Sequence, residues 1–232
     1  MSQRKMRGRR RGKKSLTAVK TMKILTFPVG VMQTNCYFLL DTSSTSPEKP
    51  IGAVVDPGDD ADKLIEKIHK MNLAVQYIFL THGHFDHIMA LESLREATGA
   101  PVCIHRGDAE LLVDPDKNCM ARFSDHILPI RHAEILLEDE QTITIGHETV
   151  TVMHTPGHTP GSVCYLTEDA MLSGDTLFRG GIGRYDLYAG DYSALMISLG
   201  KISAMTKNYR VYPGHGSSTS LYNEKLNNLY LR

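Results

Sequence analysis

Short apolar segments bounded by Gly, Pro, Asp and Asn predict strands over residues 22–27, 35–41, 51–56, 74–80, 102–105, 135–137, 142–145, 150–154, 162–166, 170–173 and 210–212. A helical period predicts a helix over 59–71, with Leu64, Ile65 and Ile68 on one face and Asp59 or Asp60 as its cap. Further helices are expected over 88–98, 108–113, 192–205 and 220–231. Between them lie a Ser/Thr/Pro loop at 42–50, a polar irregular stretch at 114–125 suited to a substrate entrance, and a Gly-rich loop at 180–190. Strands thus precede helices, more strands follow, and helices return, with neither a regular βα alternation nor a sequence repeat. Two sheets packed face to face with helices outside each would accommodate this order, although periodicity alone does not select it.

At 232 residues the chain can bury one large core, and 41% apolar with 22% charged residues is ordinary for a globular protein. No apolar run approaches the ~18 residues of a membrane span, so no membrane association is expected. The zero formal charge hides an asymmetry. Residues 1–14 hold eight of the 26 basic side chains and none of the 26 acidic ones, leaving the rest net acidic by eight. That balance suits carboxylates gathered around cations and argues against a nucleic-acid groove on the folded body. The expected organisation is a basic, disordered arm over 1–21, the one candidate for a nucleic-acid contact, followed by a catalytic domain over 22–232. Met22 also reads as a natural start. Cys36, Cys103, Cys119 and Cys164 form no C-x-x-C pair; Cys36, Cys103 and Cys164 sit among apolar, strand-like residues and read as buried thiols of a reducing cytoplasm.

The chemistry concentrates in Thr81-His82-Gly83-His84-Phe85-Asp86-His87, which puts three imidazoles and a carboxylate at the end of a buried strand. Imidazole and carboxylate suit zinc, iron or manganese. His69, His105, His126, His132 and His147 fall outside such motifs and read as surface or loop histidines.

The run His82-x-His84-x-Asp86-His87 resembles the H-x-H-x-D-H signature of the metallo-β-lactamase superfamily. Three more segments follow in that family's order: Thr155-Pro156-Gly157-His158, Ser173-Gly174-Asp175-Thr176 and Tyr212-Pro213-Gly214-His215. The early Gln33-Thr34-Asn35-Cys36-Tyr37 and Asp56-Pro57-Gly58 are similar as well. The resemblance implies an α/β (α+β) fold, a four-layer αβ/βα sandwich of two mixed sheets with helices on the outer faces. It implies two divalent metal ions, zinc foremost, with iron or manganese also accommodated. His82, His84 and His158 would bind the first metal, Asp86, His87 and His215 the second, and Asp175 would bridge them. A metal-bridged hydroxide would attack a carbonyl, with Asp86 also orienting the nucleophile. Asp56 reads either as orienting a ligand imidazole or as a carboxylate ending a strand.

Within the superfamily, the stretch from Gly174 to Arg184 is similar to glyoxalase II, which hydrolyses S-2-hydroxyacylglutathione thioesters. Arg184 falls where that family places a basic residue near the thiol's glycyl carboxylate, and Tyr185 sits beside it, so both are candidate substrate-binding residues. Only 16 residues follow Gly216, room for a closing helix and not for glyoxalase II's helical domain. The expected function is a thioester hydrolase acting on a small molecule. A one-iron persulfide dioxygenase using His82, His158 and Asp175 is an alternative, a lactonase another, and a nucleic-acid-binding protein acting through the arm a third of a different class. Asp175, where β-lactamases commonly carry a cysteine, argues against a β-lactamase.

Overall fold

The structure, a computed structural model, describes residues 22–42 and 49–232. The basic arm, and with it any nucleic-acid contact, lies outside the described residues, as does most of the 42–50 loop.

The first sheet runs β1 (Lys23–Val29), β2 (Thr34–Leu40), β3 (Ile51–Val55), β4 (Ala74–Phe79), β5 (Val102–His105) and β6 (Ile135–Leu137), in that spatial order. β1, β2 and β3 pair antiparallel, and β3 to β6 pair parallel. Connections within the parallel half carry α1 (Ala61–Lys70), α2 (Leu91–Thr98), α3 (Ala109–Val113) and α4 (Met120–Phe123). The second sheet is built from β7 (Thr142–Ile145), β8 (Glu148–His154), β9 (Val163–Leu166) and β10 (Ala170–Gly174). A small hairpin of β11 (Leu177–Phe178) and β12 (Gly181–Ile182), then α5 (Tyr192–Ala204), intervene before β13 (Arg210–Pro213), β14 (Thr219–Ser220) and α6 (Leu221–Asn227). Its spatial order is β14-β13-β10-β9-β8-β7, antiparallel except for the parallel β10–β13 pair.

Side chains alternate across a strand, so each strand here feeds two cores. In β2, Phe38 faces the α1 and α2 layer, packing with Leu64, Ile68, Leu91 and Leu94. Its neighbours Tyr37 and Leu39 face the second sheet, meeting Val152, Tyr165 and Leu172. In β10, Leu172 joins that central core while Met171 points outward to Leu195, Leu199 and Ile202 of α5. The layers are therefore helix, sheet, sheet, helix, as expected.

Three local expectations need correction. Asp60 precedes α1 in a left-handed conformation (φ 56°) and makes no side-chain cap bond. Its carboxylate instead accepts from Gly30 N at 3.1 Å and pairs with Lys63 at 2.7 Å. The 114–125 stretch contains α4, started by Asn118 Oδ1 accepting from Met120 N at 2.9 Å and anchored by buried Met120. One turn buries too little periodic apolar surface to show in sequence. Finally, α6 stops at Asn227. Asn228 turns extended, donates to Gly181 O at 3.1 Å, and lets Leu231 tuck into the outer core.

Candidate metal centre

The strand ends that carry the motifs meet at one edge of the sandwich. The loop after β4 brings His82 and His84, and a single 3₁₀ turn over Phe85–His87 brings Asp86 and His87. His158 follows β8, Asp175 follows β10, and His215 follows β13. Tight backbone makes this convergence possible. Gly174 has φ 46°, and a Cβ there would meet the Thr81 side chain. A Cβ on Gly214 would strike Asp175 Oδ1. The loop before His215 is also held from β2: Tyr37 Oη and Asn35 Nδ2 donate to Pro213 O at 2.6 and 2.9 Å.

His84 presents Nδ1 at 2.9 Å from His158 Nε2, which in turn lies 3.2 Å from His82 Nε2. Nitrogens of a tetrahedral site with metal–N bonds of ~2.0–2.1 Å stand about 3.3 Å apart, so this spacing fits a metal. A second trio joins Asp86, His87 and His215, with His215 Nε2 3.1 Å and His87 Nε2 3.7 Å from Asp86 Oδ2. Asp175 sits between the trios. Its Oδ1 is 3.4 Å from His87 Nε2, and its Oδ2 is 3.6 Å from His158 Nε2 and 3.5 Å from His215 Nε2. Among the described residues, buried His87 Nε2 and Asp175 Oδ1 have no hydrogen-bond partner. Orphaned buried polar atoms are rare, and a cation would satisfy both.

The outward nitrogens are oriented by oxygens. His158 Nδ1 donates to Arg184 O at 2.7 Å, and His215 Nδ1 to Met32 O at 3.2 Å. Asp56 Oδ2 lies 3.0 Å from His87 Nδ1, while Asp56 also accepts from Thr81 N and Thr81 Oγ1 at 2.8 and 2.7 Å. Asp56 is thus placed beside the His87 ring, within ion-pair distance of it. Electrostatically the trios differ. Burial and neighbouring imidazoles depress His82 far below its ordinary value and bring His84 to about 3. Burial also acts against protonated His215, but Asp175 and Asp86 outweigh it and raise the group to about 9. Burial opposes ionisation of Asp86, yet His87 and His215 draw it down to about 2.

Above the cluster opens a cavity of about 520 Å³. Val31, Met32, Phe85, Cys119, Phe123, Phe178, Ile182 and Leu187 line it beside the polar cluster. Cys119 and Phe123 come from the 114–125 stretch expected near a substrate entrance, Phe85 sits inside the histidine motif, and Phe178 and Ile182 lie in the Gly174–Arg184 stretch. Val31, Met32 and Leu187 were not singled out in sequence, because they come from segments far apart in the chain. Arg184 reaches the cavity, but Tyr185 is not among its lining residues and packs its ring on Tyr192, with centroids 4.9 Å apart. All four cysteines are free and buried. His105 is no surface histidine: it is buried and stacks on His154 at 3.9 Å, because β5 ends beneath the His154–Pro160 segment.

Residues 29–215 match the family model of the metallo-beta-lactamase superfamily. The chain belongs to this superfamily. It is 35% identical to a probable metallo-hydrolase, YqgX, of Bacillus subtilis (strain 168), over 90% of this chain and 98% of that one. It is 30% identical to the hydroxyacylglutathione hydrolase GloC of Haemophilus influenzae, with the same coverage of both. Among solved structures it is similar to the BLEG-1 B3 metallo-beta-lactamase (TM-score 0.82, 37% identity, 90% and 99% of the two chains). A di-iron-bound form of TTHA1623 is also similar (TM-score 0.74, 34% identity, 89% and 99%). No helix among the described residues is long and apolar enough to cross a membrane.

Proposed function

We propose that this superfamily member is a binuclear metal-dependent thioester hydrolase. His82, His84 and His158 would hold one metal, Asp86, His87 and His215 would hold the other, and Asp175, between the two trios, would contribute to both. The observation that carries this reading is the position of Asp175, with its two carboxylate oxygens turned toward both trios. Zinc is the metal we expect, although the di-iron neighbour makes iron a natural comparison. Divalent ions in such a site lower the pKa of coordinated water and polarise a carbonyl. Asp86 contributes a carboxylate that stays ionised and is fixed by Thr34 Oγ1, which donates to its Oδ2 at 2.9 Å. Held there, the Asp86 carboxylate would orient the attacking water at the cavity floor. A thiol leaving group, with a pKa of ~8.5, departs as thiolate without a general acid. Outside the His/Asp cluster, the described cavity wall offers only the Cys119 thiol and an always-charged arginine as proton carriers, which suits such a leaving group. The GloC relative points to S-2-hydroxyacylglutathione as the first substrate to try.

The test is hydrolysis of S-D-lactoylglutathione by metal-reconstituted protein, with a chelated control and a β-lactam run beside it. Chelator-sensitive release of thiol supports the reading. Loss of the β-lactam with the thioester intact would assign the site to lactam hydrolysis instead.

A further inference from the structure

The wall that meets solvent is unusually apolar. Val31 is 95% exposed, Met32 53% and Phe123 48%, and all three border the cavity. Phe85 stacks on Phe123 at 6.0 Å and extends this surface down to Asp86, while Phe178 and Leu187 continue it elsewhere on the wall. A second, smaller cavity shares Val31, Met32, Phe85 and Phe123, so the apolar surface runs past the metal cluster and is not confined to one pocket. Apolar side chains left at a cavity mouth gain stability when a ligand covers them.

Charge points the same way. Arg184 supplies the one guanidinium or ammonium among the described residues lining the cavity. Its Nε and Nη2 donate to Asp186 Oδ1 and Oδ2 at 2.7 and 2.9 Å, a bidentate fork that uses the face a ligand carboxylate would take. Arg122 lies over the Phe123 ring at 5.0 Å and does not line the cavity. Lys117 is held by Glu110 at 3.1 Å and Asp114 at 3.6 Å. A thiol bearing carboxylates, as glutathione does, therefore meets an apolar wall and a neutralised arginine.

We infer that the site selects thioesters with an apolar, uncharged arm, laid against Val31, Met32 and Phe123, and that the Arg184–Asp186 pair withholds the cation a carboxylated thiol needs. This rests on the thioester-hydrolase reading above. The test uses the metal-loaded enzyme and two neutral series: N-acetylcysteamine thioesters with acyl chains from acetyl to octanoyl, and acetyl thioesters of lengthening alkyl thiols. S-D-lactoylglutathione is the carboxylated comparison. In at least one series kcat/KM should climb roughly two- to fourfold per methylene. The octanoyl or long-alkyl thioester should exceed lactoylglutathione. Val31→Asp, at a position too exposed to endanger folding, should flatten the climb, and Phe123→Ser should do the same. Asp186→Asn should raise kcat/KM for lactoylglutathione by roughly two- to fivefold, the worth of an exposed ion pair. Flat series, or lactoylglutathione as the best substrate of the unaltered enzyme, would overturn the inference and leave the hydrolase standing. Absence of turnover on every thioester with metals bound would overturn both.

Discussion

Each imidazole of the centre has one nitrogen facing inward, and for most of them an oxygen fixes the other. For His87 that oxygen belongs to Asp56, a buried carboxylate held in turn by Thr81. Partners of this kind set ligand orientation and basicity, so Asp56→Asn should weaken metal retention or activity by about 10- to 100-fold. Equilibrium dialysis against a graded chelator would measure it, and an unchanged metal affinity would reduce Asp56 to a turn residue. The two trios also differ in protons. Because the carboxylates raise His215 to about 9, it is protonated at neutral pH until a metal displaces the proton, whereas His84, at about 3, is already neutral. Metal binding at pH 7 should therefore release protons, and as pH falls below about 9 the Asp86/His87/His215 side should lose affinity first. Calorimetric titration in buffers of different ionisation enthalpy reads this directly, and zero net release would contradict it. The His/Asp cluster was legible in sequence because each of its residues sits in a compact motif. Arg184 was legible as well, but its pairing with Asp186 depends on how two side chains fold over a loop, which no spacing rule conveys.

At the scale of elements, the loops that carry the histidines are tied together by a residue that sequence reasoning missed. Asp108, buried at the start of α3, accepts from Gly83 N at 3.0 Å, Thr159 Oγ1 at 2.7 Å and Gly161 N at 2.6 Å. It thus joins the loop between His82 and His84 to the loop after His158. Every one of these bonds ends on a carboxylate oxygen, and an amide would turn an NH₂ against a donor. Asp108→Asn should cost about 1–3 kcal/mol of stability, the range for leaving a buried donor unpaired. Denaturant unfolding would show it, and a neutral result would mean the loops hold without this clasp. Nothing near Asp108 in sequence signals the role, since its partners are 25 and more residues away. The same segment explains His105. Burial, then His154, depress its pKa to about 4. With an ordinary unfolded value of ~6.5, the unfolded chain binds the extra proton first, so stability is lost as pH falls from about 6.5 toward 4. His105→Asn, which can still accept from Gly107 N as the native ring does at 3.2 Å, should lack this component. Melting both proteins at pH 7 and 4.5 should show the native protein losing more, whereas parallel losses would exclude His105 as the source.

Over the whole molecule, the strands were read within a residue or two where their apolar runs were continuous, as in β5 and β6, or alternated regularly, as in β7. Their arrangement into two sheets was not contained in periodicity. It follows from alternation, which sends Phe38 to one core and Tyr37 to another, and only the motif order selected this topology beforehand. The sandwich then does one thing for function. It brings the ends of β4, β8, β10 and β13 to a single edge, so that Asp86 and His215, 129 positions apart in sequence, lie 3.1 Å from one another. The most direct test is a titration of metal-free protein with zinc or ferrous ion, following thioester hydrolysis against metal bound per chain. We expect activity to rise until two ions are bound and to vanish, with the metal, in Asp175→Ala. Full activity at a single ion, or an active Asp175→Ala protein, would contradict the bridged binuclear centre.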